Sequence, residues 1–158
     1  MVLTSSATTD ANTASKEFRN EIRDCAWSLG FSIFPAQDKG NHPLKLGVFT
    51  PWGEQLKIPL IVDTTAGRIG VQPVAQEGRG NGYQNVFYRV LGTANAYPYP
   101  LAIVVKGDGF VGDTAPARFY RYFKKEAEKH PKLAFVGNMS EFRAFLANTA
   151  TVSAREVA

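Results

Sequence analysis

The sequence contains little cysteine, and this limits the classes of protein to which it can belong. Its 158 residues include one cysteine, Cys25, which excludes an internal disulfide and a zinc site built from several cysteines. No run of about 18 apolar residues occurs, so no membrane-spanning segment is expected. Residues 1–14 lack a basic segment followed by an apolar one, and we expect a polar, disordered arm there rather than a secretory signal. A cytoplasmic protein fits these absences best.

Charge is also modest, which argues against a strongly charged binding protein. Hydrophobic residues make up 44% and charged residues 20% of the chain, the balance of an ordinary folded protein. The net charge of +4 is compatible with nucleic acid as a partner but does not establish it. The length corresponds to one domain. We expect that domain over residues 15–148, followed by a flexible tail over residues 149–158.

Hydrophobic periodicity predicts alternating helices and strands. A first helix is expected over Ser15–Leu29, where apolar residues recur at helical spacing before Gly30. The segment FSIFPAQDKGNHP is rich in turn residues and is predicted to be a loop. Three strands with short turns are expected in LKLGVFT, QLKIPLIVD and IGVQPVAQE. A helix, a strand, a helix, a strand and a helix are then predicted in YQNVFYRVLGTANAY, LAIVVKG, APARFYRYFKKEAEKHP, LAFVG and NMSEFRAFLAN.

This order of elements predicts the fold class. The first three strands should form an antiparallel meander, and the later helices should cover both faces of a mixed sheet, which is an α/β fold. Pro73 lacks a backbone N–H and lies inside the third strand, so an edge position or a bulge is expected there. Asn138 and Glu141 have the spacing of a capping pair at the start of the last helix.

Asp63 is the strongest candidate metal ligand, because it ends an apolar strand. The next strand returns across a tight turn with the polar side chains of Gln72 and Gln76. Two neighbouring strand ends can hold oxygen ligands a few Å apart, which suits a hard cation such as Mg²⁺. The metal would polarise a phosphoryl oxygen and activate a water molecule. Metal-assisted hydrolysis of a phosphodiester is therefore one hypothesis.

The order of elements from Ser15 to Asn148 resembles that of the PD-(D/E)XK nuclease superfamily, the fold of restriction endonucleases. In that family a first helix often carries a glutamate, the second strand ends in an aspartate, and the third strand carries (D/E)-x-K. Glu21 or Glu17 matches the glutamate and Asp63 the aspartate, while QEGRGNG, YQNVFYRVL and LAIVVKGDGF resemble the turn, helix and glycine-ended strand that follow in many restriction enzymes. The resemblance implies a restriction-endonuclease-like fold, Mg²⁺ or another divalent metal, and DNA as substrate. It also implies a homodimer or a partner subunit, in a restriction or mobile-element context.

The centre of the nuclease motif is degenerate in this chain. Gln72 stands where the family has an acid, and Val74 stands where it has a lysine. A glutamine oxygen can contact a metal but brings no charge, and valine can neither position a water nor stabilise a charged phosphate. This pattern predicts cleavage that is severely weakened or absent.

A shifted motif is the alternative. Glu77 and Arg79 are two residues apart, so both would point to one face if the strand continues that far, giving a D…E-x-R variant. Arginine keeps the positive charge but cannot act as a base. In this hypothesis the catalytic residues are Asp63, Glu77, Gln72, Arg79 and Glu21, and Asp63 and Glu77 are the metal ligands. Otherwise Glu77 and Arg79 are solvated turn residues, and the domain is a non-catalytic DNA-binding or partner-binding subunit.

The third predicted helix is the best candidate for contact with nucleic acid, since it interleaves basic and aromatic residues that suit phosphates and bases. The predicted DNA-binding residues are Gln76, Arg118, Arg121, Lys124 and Lys125. A structural explanation also exists: Phe119, Tyr122 and Phe123 share one helical face, and such a stripe usually belongs to the core.

A glycine-rich connection offers a further alternative. Gly78, Gly80 and Gly82 lie between a strand and a helix, where backbone N–H groups can hold an anion. Their spacing is G-x-G-x-G rather than G-x-G-x-x-G, and no lysine followed by serine or threonine occurs there. The Gly78–Gly82 loop is therefore either part of a nucleotide-binding domain or a simple flexible turn.

Overall fold

The computed structural model describes residues 16–35, 58–76, 82–95 and 97–157. In these ranges the chain forms four α-helices, five strands and one short 3₁₀ helix. Helix α1 covers residues 16–28. The elements that follow are β1 (Ser32–Pro35), β2 (Leu60–Thr64), β3 (Gly67–Ala75), α2 (Gly82–Thr93), β4 (Leu101–Lys106), the 3₁₀ helix (Asp108–Phe110), α3 (Ala115–Ala127), β5 (Leu133–Asn138) and α4 (Met139–Val157). The predicted α/β class is confirmed, as is the predicted order of elements from β2 onward.

The described strands form one mixed sheet in the order β1-β2-β3-β4-β5. The pairs β1–β2 and β2–β3 are antiparallel, while β3–β4 and β4–β5 are parallel. Parallel neighbours need a crossover connection, and here α2 and α3 lie in those two connections. The predicted antiparallel pairing of the strand that ends near Asp63 with the strand that follows it is confirmed.

The helices cover the two faces of the sheet in separate layers. Leu101, Ile103 and Val105 of β4 pack in one hydrophobic cluster with residues of α2 and α3. Ala102 and Val104, which alternate with them, pack in a second cluster with residues of α1 and α4. Since successive strand residues point to opposite faces, the surfaces of α2 and α3 lie on the opposite side of the molecule from those of α1 and α4.

Aromatic packing fixes α3 against α2. The Phe87 ring of α2 lies 5.5 Å from the Phe119 ring and 4.6 Å from the Phe123 ring, centroid to centroid. It also lies 6.3 Å from the Phe110 ring, which follows β4. All three contacts are edge-on, the arrangement that aromatic pairs prefer. The buried side of α3 is thus set by Phe119 and Phe123, and its opposite side faces solvent.

The first strand lies where the sequence predicted a loop. Ser32–Pro35 forms β1, with Ile33 buried and paired with Val62, so the loop prediction is wrong there. The strand has four residues, too few for a period-2 pattern to emerge from the surrounding turn residues. The segment LKLGVFT and the first residues of QLKIPLIVD lie outside the described residues.

Pro73 lies in β3, which is the central strand between β2 and β4, and its described pairing is with Val104 of β4. The described ladder between β2 and β3 ends with Leu60 opposite Val71. The amides of Gly70 and Gln76 donate to carbonyl oxygens on the β4 side at 2.9 and 2.8 Å. By alternation, the amide position of Pro73 points toward β2, beyond the last described pair. The missing N–H therefore removes no hydrogen bond from the described ladder.

Helix ends agree with the expected capping chemistry. Gly30, at φ 87°, follows α1 as expected. The amide of Asn138 donates to Glu141 Oε1 at 3.1 Å and the amide of Glu141 donates to Asn138 Oδ1 at 2.9 Å, which confirms the predicted pair.

Helix α4 continues to Val157, through most of the segment predicted as a flexible tail. Among the described helices, none has the length and apolar character needed to cross a membrane.

Candidate functional site

Asp63 lies at the turn between β2 and β3. It pairs with Arg68 across the hairpin, and Arg68 Nε lies 3.9 Å from Asp63 Oδ1. From Arg68 the strand continues four residues to Gln72, about 13 Å away at about 3.3 Å per residue. The structure therefore does not bring the Asp63 carboxylate and the Gln72 amide to one point.

Gln72 lies one residue beyond the described β2–β3 ladder, which ends with Leu60 opposite Val71. Pro59, which precedes Leu60, is the neighbour of Gln72 on the β2 side. Gln72 and Pro59 line one cleft, whose lining is Phe18, Arg19, Pro59, Gln72, Pro73 and Ala75. Gln72 Nε2 donates to the carbonyl oxygen of Pro73 at 2.9 Å. This cleft contains an amide and a guanidinium group but no described carboxylate.

These residues do not fit the Mg²⁺ centre that the nuclease resemblance implies. Magnesium is held by oxygen ligands that include carboxylates, whereas the cleft offers the neutral amide of Gln72 beside the positive Arg19. Val74 is buried in the core. In the described ranges, no group of three or more His, Cys, Asp and Glu side chains is placed to hold a metal ion. Glu77 and Arg79 lie outside the described residues, so the E-x-R variant stays a prediction.

Glu21 is engaged at a different place. Lys106 Nζ lies 2.5 Å from Glu21 Oε1 and 5.7 Å from the centre of the Phe18 ring. The ion pair connects α1 to the end of β4 and borders a second cleft of about 320 Å³. That cleft also includes Gly107, Tyr120 and the beginning of α4. Asp63, Gln72 and Glu21, which the nuclease hypothesis groups together, therefore occupy three separate places.

Gln76 is a buried structural residue. Gln76 is only 7% exposed, and its backbone amide donates to Lys106 O at 2.8 Å. Its carbonyl oxygen accepts from the amide of Gly109 at 2.9 Å. Gly107, at φ 121°, passes so close that a Cβ there would lie 2.1 Å from the same oxygen. Through its backbone Gln76 thus holds the loop after β4, while its predicted contact with DNA stays a prediction.

The exposed face of α3 carries the other predicted binding residues. Its exposed members at helical spacing are Arg118, Arg121, Tyr122 and Lys125, which we call the basic stripe. Tyr122 is 64% exposed, so the interpretation of this residue as core is wrong. Tyr122 lies four residues after Arg118 and three before Lys125. This spacing, which can be read from the sequence, puts Tyr122 on the same helix face as the two basic residues. Phe119 and Phe123 face inward, as the core interpretation predicted.

No protein-family model, curated protein or solved structure matches this chain. Its function must therefore be argued from the chemistry of its own residues. Among the described residues, the cleft at Gln72 and the basic stripe are the features that bear on the nuclease and DNA-binding hypotheses.

The two arginines of the stripe are held by the loop before α3. Arg118 Nη1 donates to Asp113 O at 2.7 Å and Arg121 Nη1 donates to Gly112 O at 2.8 Å. The single Asp113 carboxylate lies 3.4 and 3.6 Å from the two guanidinium groups, so it offsets only part of their charge. Lys125 forms no ion pair with any described residue. The stripe therefore presents net positive charge in a partly preorganised arrangement.

Lys124 differs from the neighbouring basic residues of α3, because it forms an ion pair with α4. Its Nζ lies 2.6 Å from Glu141 Oε2. The hydrogen bond from Lys124 lowers the pKa of Glu141. Burial acts to lower the pKa of Lys124, but the hydrogen bond to Glu141 and the nearby Tyr120 outweigh it and leave this pKa raised. The charge of Lys124 is thus largely satisfied within the protein.

Proposed function

We propose that the chain is a restriction-endonuclease-like domain without a working cleavage centre, and that it binds DNA through the basic stripe of α3. The observation that carries the first part is the register of β2 and β3. It pairs Asp63 with Arg68 beside the turn and leaves Gln72 four residues further along β3, in a cleft with Pro59. The fold assignment is supported by three antiparallel strands followed by two parallel ones, with helices on both faces.

Loss of cleavage follows from the chemistry of the Gln72 cleft. Hydrolysis of a phosphodiester in such a fold needs a divalent metal that polarises the phosphate and lowers the pKa of the attacking water. An amide beside a proline supplies no negative charge to hold that metal. Buried Val74 supplies no cation for the transition state. Each of these replacements removes a different requirement of the reaction, so a single compensating residue would not restore it.

DNA binding is supported by the charge around α3. Residues 113–132 contain six Lys and Arg against three Asp and Glu. Cations that neutralise phosphates release bound counterions, which makes the affinity depend steeply on salt. Arg118 and Arg121 are already held by their own loop, so binding would order fewer rotatable bonds.

The binding proposal is tested with fluorescence anisotropy of labelled DNA, both single-stranded and duplex, between 50 and 200 mM KCl. We expect the combined change Arg121→Ala and Lys125→Ala to weaken binding by about tenfold and to reduce the log–log salt slope by about 1.5 units, because each phosphate contact contributes about 0.7–0.9 units. The control Lys16→Ala with Arg143→Ala removes the same charge from the opposite layer. It should leave the slope unchanged.

Two results would contradict the binding proposal. Equal weakening by both double variants would show that only net charge matters, and no binding at 50 mM KCl would remove DNA as a partner. Stabilisation by a nucleotide without DNA affinity would instead favour the Gly78–Gly82 alternative, of which Gly78 and Gly80 lie outside the described residues.

The absence of cleavage is tested on supercoiled plasmid with Mg²⁺ or Mn²⁺. We expect no nicking above the level without protein. Metal-dependent nicking that is lost in Asp63→Ala would show that the centre is active and would refute the non-catalytic assignment.

A further inference from the structure

Two exposed tyrosines lie beside the aromatic cluster of α2 and α3. Tyr88 of α2 is 55% exposed, and its ring meets the Phe119 ring edge-on at 5.7 Å. Tyr122 of α3 is 64% exposed and follows Phe119 by three residues, so the two are neighbours on the helix surface. Tyr88 and Tyr122, which belongs to the basic stripe, therefore both lie beside Phe119 on the same layer of the molecule.

Their environment differs from that of an exposed aromatic on the opposite layer. Trp27 of α1 is 54% exposed, but the Arg23 guanidinium lies 4.9 Å from its ring centroid and stacks on it. Tyr122 instead lies between Arg118 and Lys125, which point to solvent on the same helix face. An exposed ring next to cations is the arrangement with which proteins hold unpaired bases and their phosphates.

We propose that the surface of α2 and α3 binds single-stranded nucleic acid, with bases stacked on Tyr88 and Tyr122 and phosphates neutralised by the basic stripe. This inference rests on the proposed DNA-binding function and names the form of its ligand. In a duplex the bases are stacked on one another and cannot offer their faces to a side chain. Exposed rings beside positive charge thus favour a strand whose bases are unpaired.

The positive charges on the surface of α2 and α3 indicate which kind of partner binds there. An apolar protein partner would require contiguous apolar area, whereas here the two tyrosines are accompanied by Arg118, Arg121 and Lys125. A polyanion with stackable planar groups at short intervals satisfies both the cations and the rings. Single-stranded nucleic acid has that chemistry.

The test compares a labelled single strand of about 20 nucleotides, the length of a few stacking sites, with a duplex of the same length and sequence. We expect the full-length protein to bind the single strand more tightly. Tyr88→Leu and Tyr122→Leu should each weaken single-strand binding by about fivefold or more, because stacking of one base on an aromatic ring is worth about 1–3 kcal/mol. Duplex binding should change by less than about twofold, since it depends on phosphate contacts.

Two control variants separate stacking from folding. Tyr122→Phe keeps the ring and should retain single-strand affinity. Trp27→Leu removes an exposed ring from the opposite layer and should have no effect. Single-strand and duplex affinities that are equal and insensitive to both leucine variants would overturn this inference while leaving the proposed function in place. Equal loss of both affinities in the leucine variants would also overturn it, and no binding of either ligand would remove the proposed function itself.

Discussion

Substitution of Gly107 tests how the loop after β4 holds the sheet to α3. Gly107 has φ 121° and ψ 157°, a conformation that is essentially restricted to glycine. A Cβ at this position would lie 2.1 Å from Gln76 O and 2.7 Å from Gln76 C, which are backbone atoms that no side-chain rotation can move. Gly112 is a matched control, because it has φ 83° but nothing within 4 Å of its Cβ position.

The expected magnitudes follow from these two environments. Both alanine variants carry backbone strain of about 1–3 kcal/mol. Gly107→Ala additionally displaces the Gln76 carbonyl, which accepts from the Gly109 amide at 2.9 Å. Overpacking and the loss of this buried hydrogen bond each add about 1–3 kcal/mol. We expect Gly107→Ala to lower the free energy of unfolding by about 2 kcal/mol or more beyond the effect of Gly112→Ala.

Urea unfolding followed by far-UV circular dichroism measures this difference directly. The loop also positions the start of α3, because the Thr114 hydroxyl donates to Gly109 O at 2.6 Å. At one fixed urea concentration, DNA affinity should therefore be lower in Gly107→Ala than in Gly112→Ala. Equal destabilisation by the two variants would refute the steric reasoning, since it would leave only the backbone strain that they share.

Two further changes test electrostatic features of the same structure. Glu141→Gln keeps the capping geometry but removes the charge paired with Lys124. Because the folded pKa of Glu141 is lowered, the unmodified protein should be more stable than this variant above pH 4.5. This difference in stability should disappear as the pH falls through the lowered folded pKa. The effect should be less than about 1 kcal/mol for so exposed a pair, and a difference that persists in strong acid would contradict it. Pro59→Asp combined with Gln72→Glu places two carboxylates in one cleft, so 10 mM Mg²⁺ should stabilise this variant by about 1 kcal/mol if it binds near 1 mM, and leave the unmodified protein unchanged. Thermal unfolding measures this effect. No stabilisation of the variant by Mg²⁺ would contradict the placement of the two positions in one cleft, and equal stabilisation of both proteins would show that the unmodified protein already binds the metal.

The elements that could be predicted from sequence are those whose signal is local. The apolar stripe of the first helix, the continuous apolar run of β4 and the capping pair of Asn138 and Glu141 all depend on residues a few positions apart. For the same reason the α/β class and the element order from β2 onward were predictable. The four-residue β1 was not, because its burial depends on pairing with β2, which lies more than twenty residues further along the chain.

The candidate site depended on the register between β2 and β3, which cannot be read from the spacing of residues in the sequence. The nuclease resemblance placed Asp63 beside Gln72, since both belong to neighbouring strands near one turn. The register shows that Asp63 lies at the turn and that Gln72 lies further along β3, where it lines a cleft with Pro59. In an antiparallel pair, residues meet only if they are equally distant from the turn, so Asp63 and Gln72 are separated although their strands are hydrogen-bonded.

The amino-acid order alone therefore determined that this chain forms an α/β sheet, that the third strand carries Gln72 and Val74 rather than an acid and a lysine, and that α3 carries alternating cations and rings. These are properties of individual residues and of local periodicity. Only the tertiary structure decided which of them meet. It buried Gln76 beneath Gly107, committed Lys124 to Glu141, and left Tyr122 exposed among Arg118 and Lys125, because packing against the sheet determines which side of each helix remains in water.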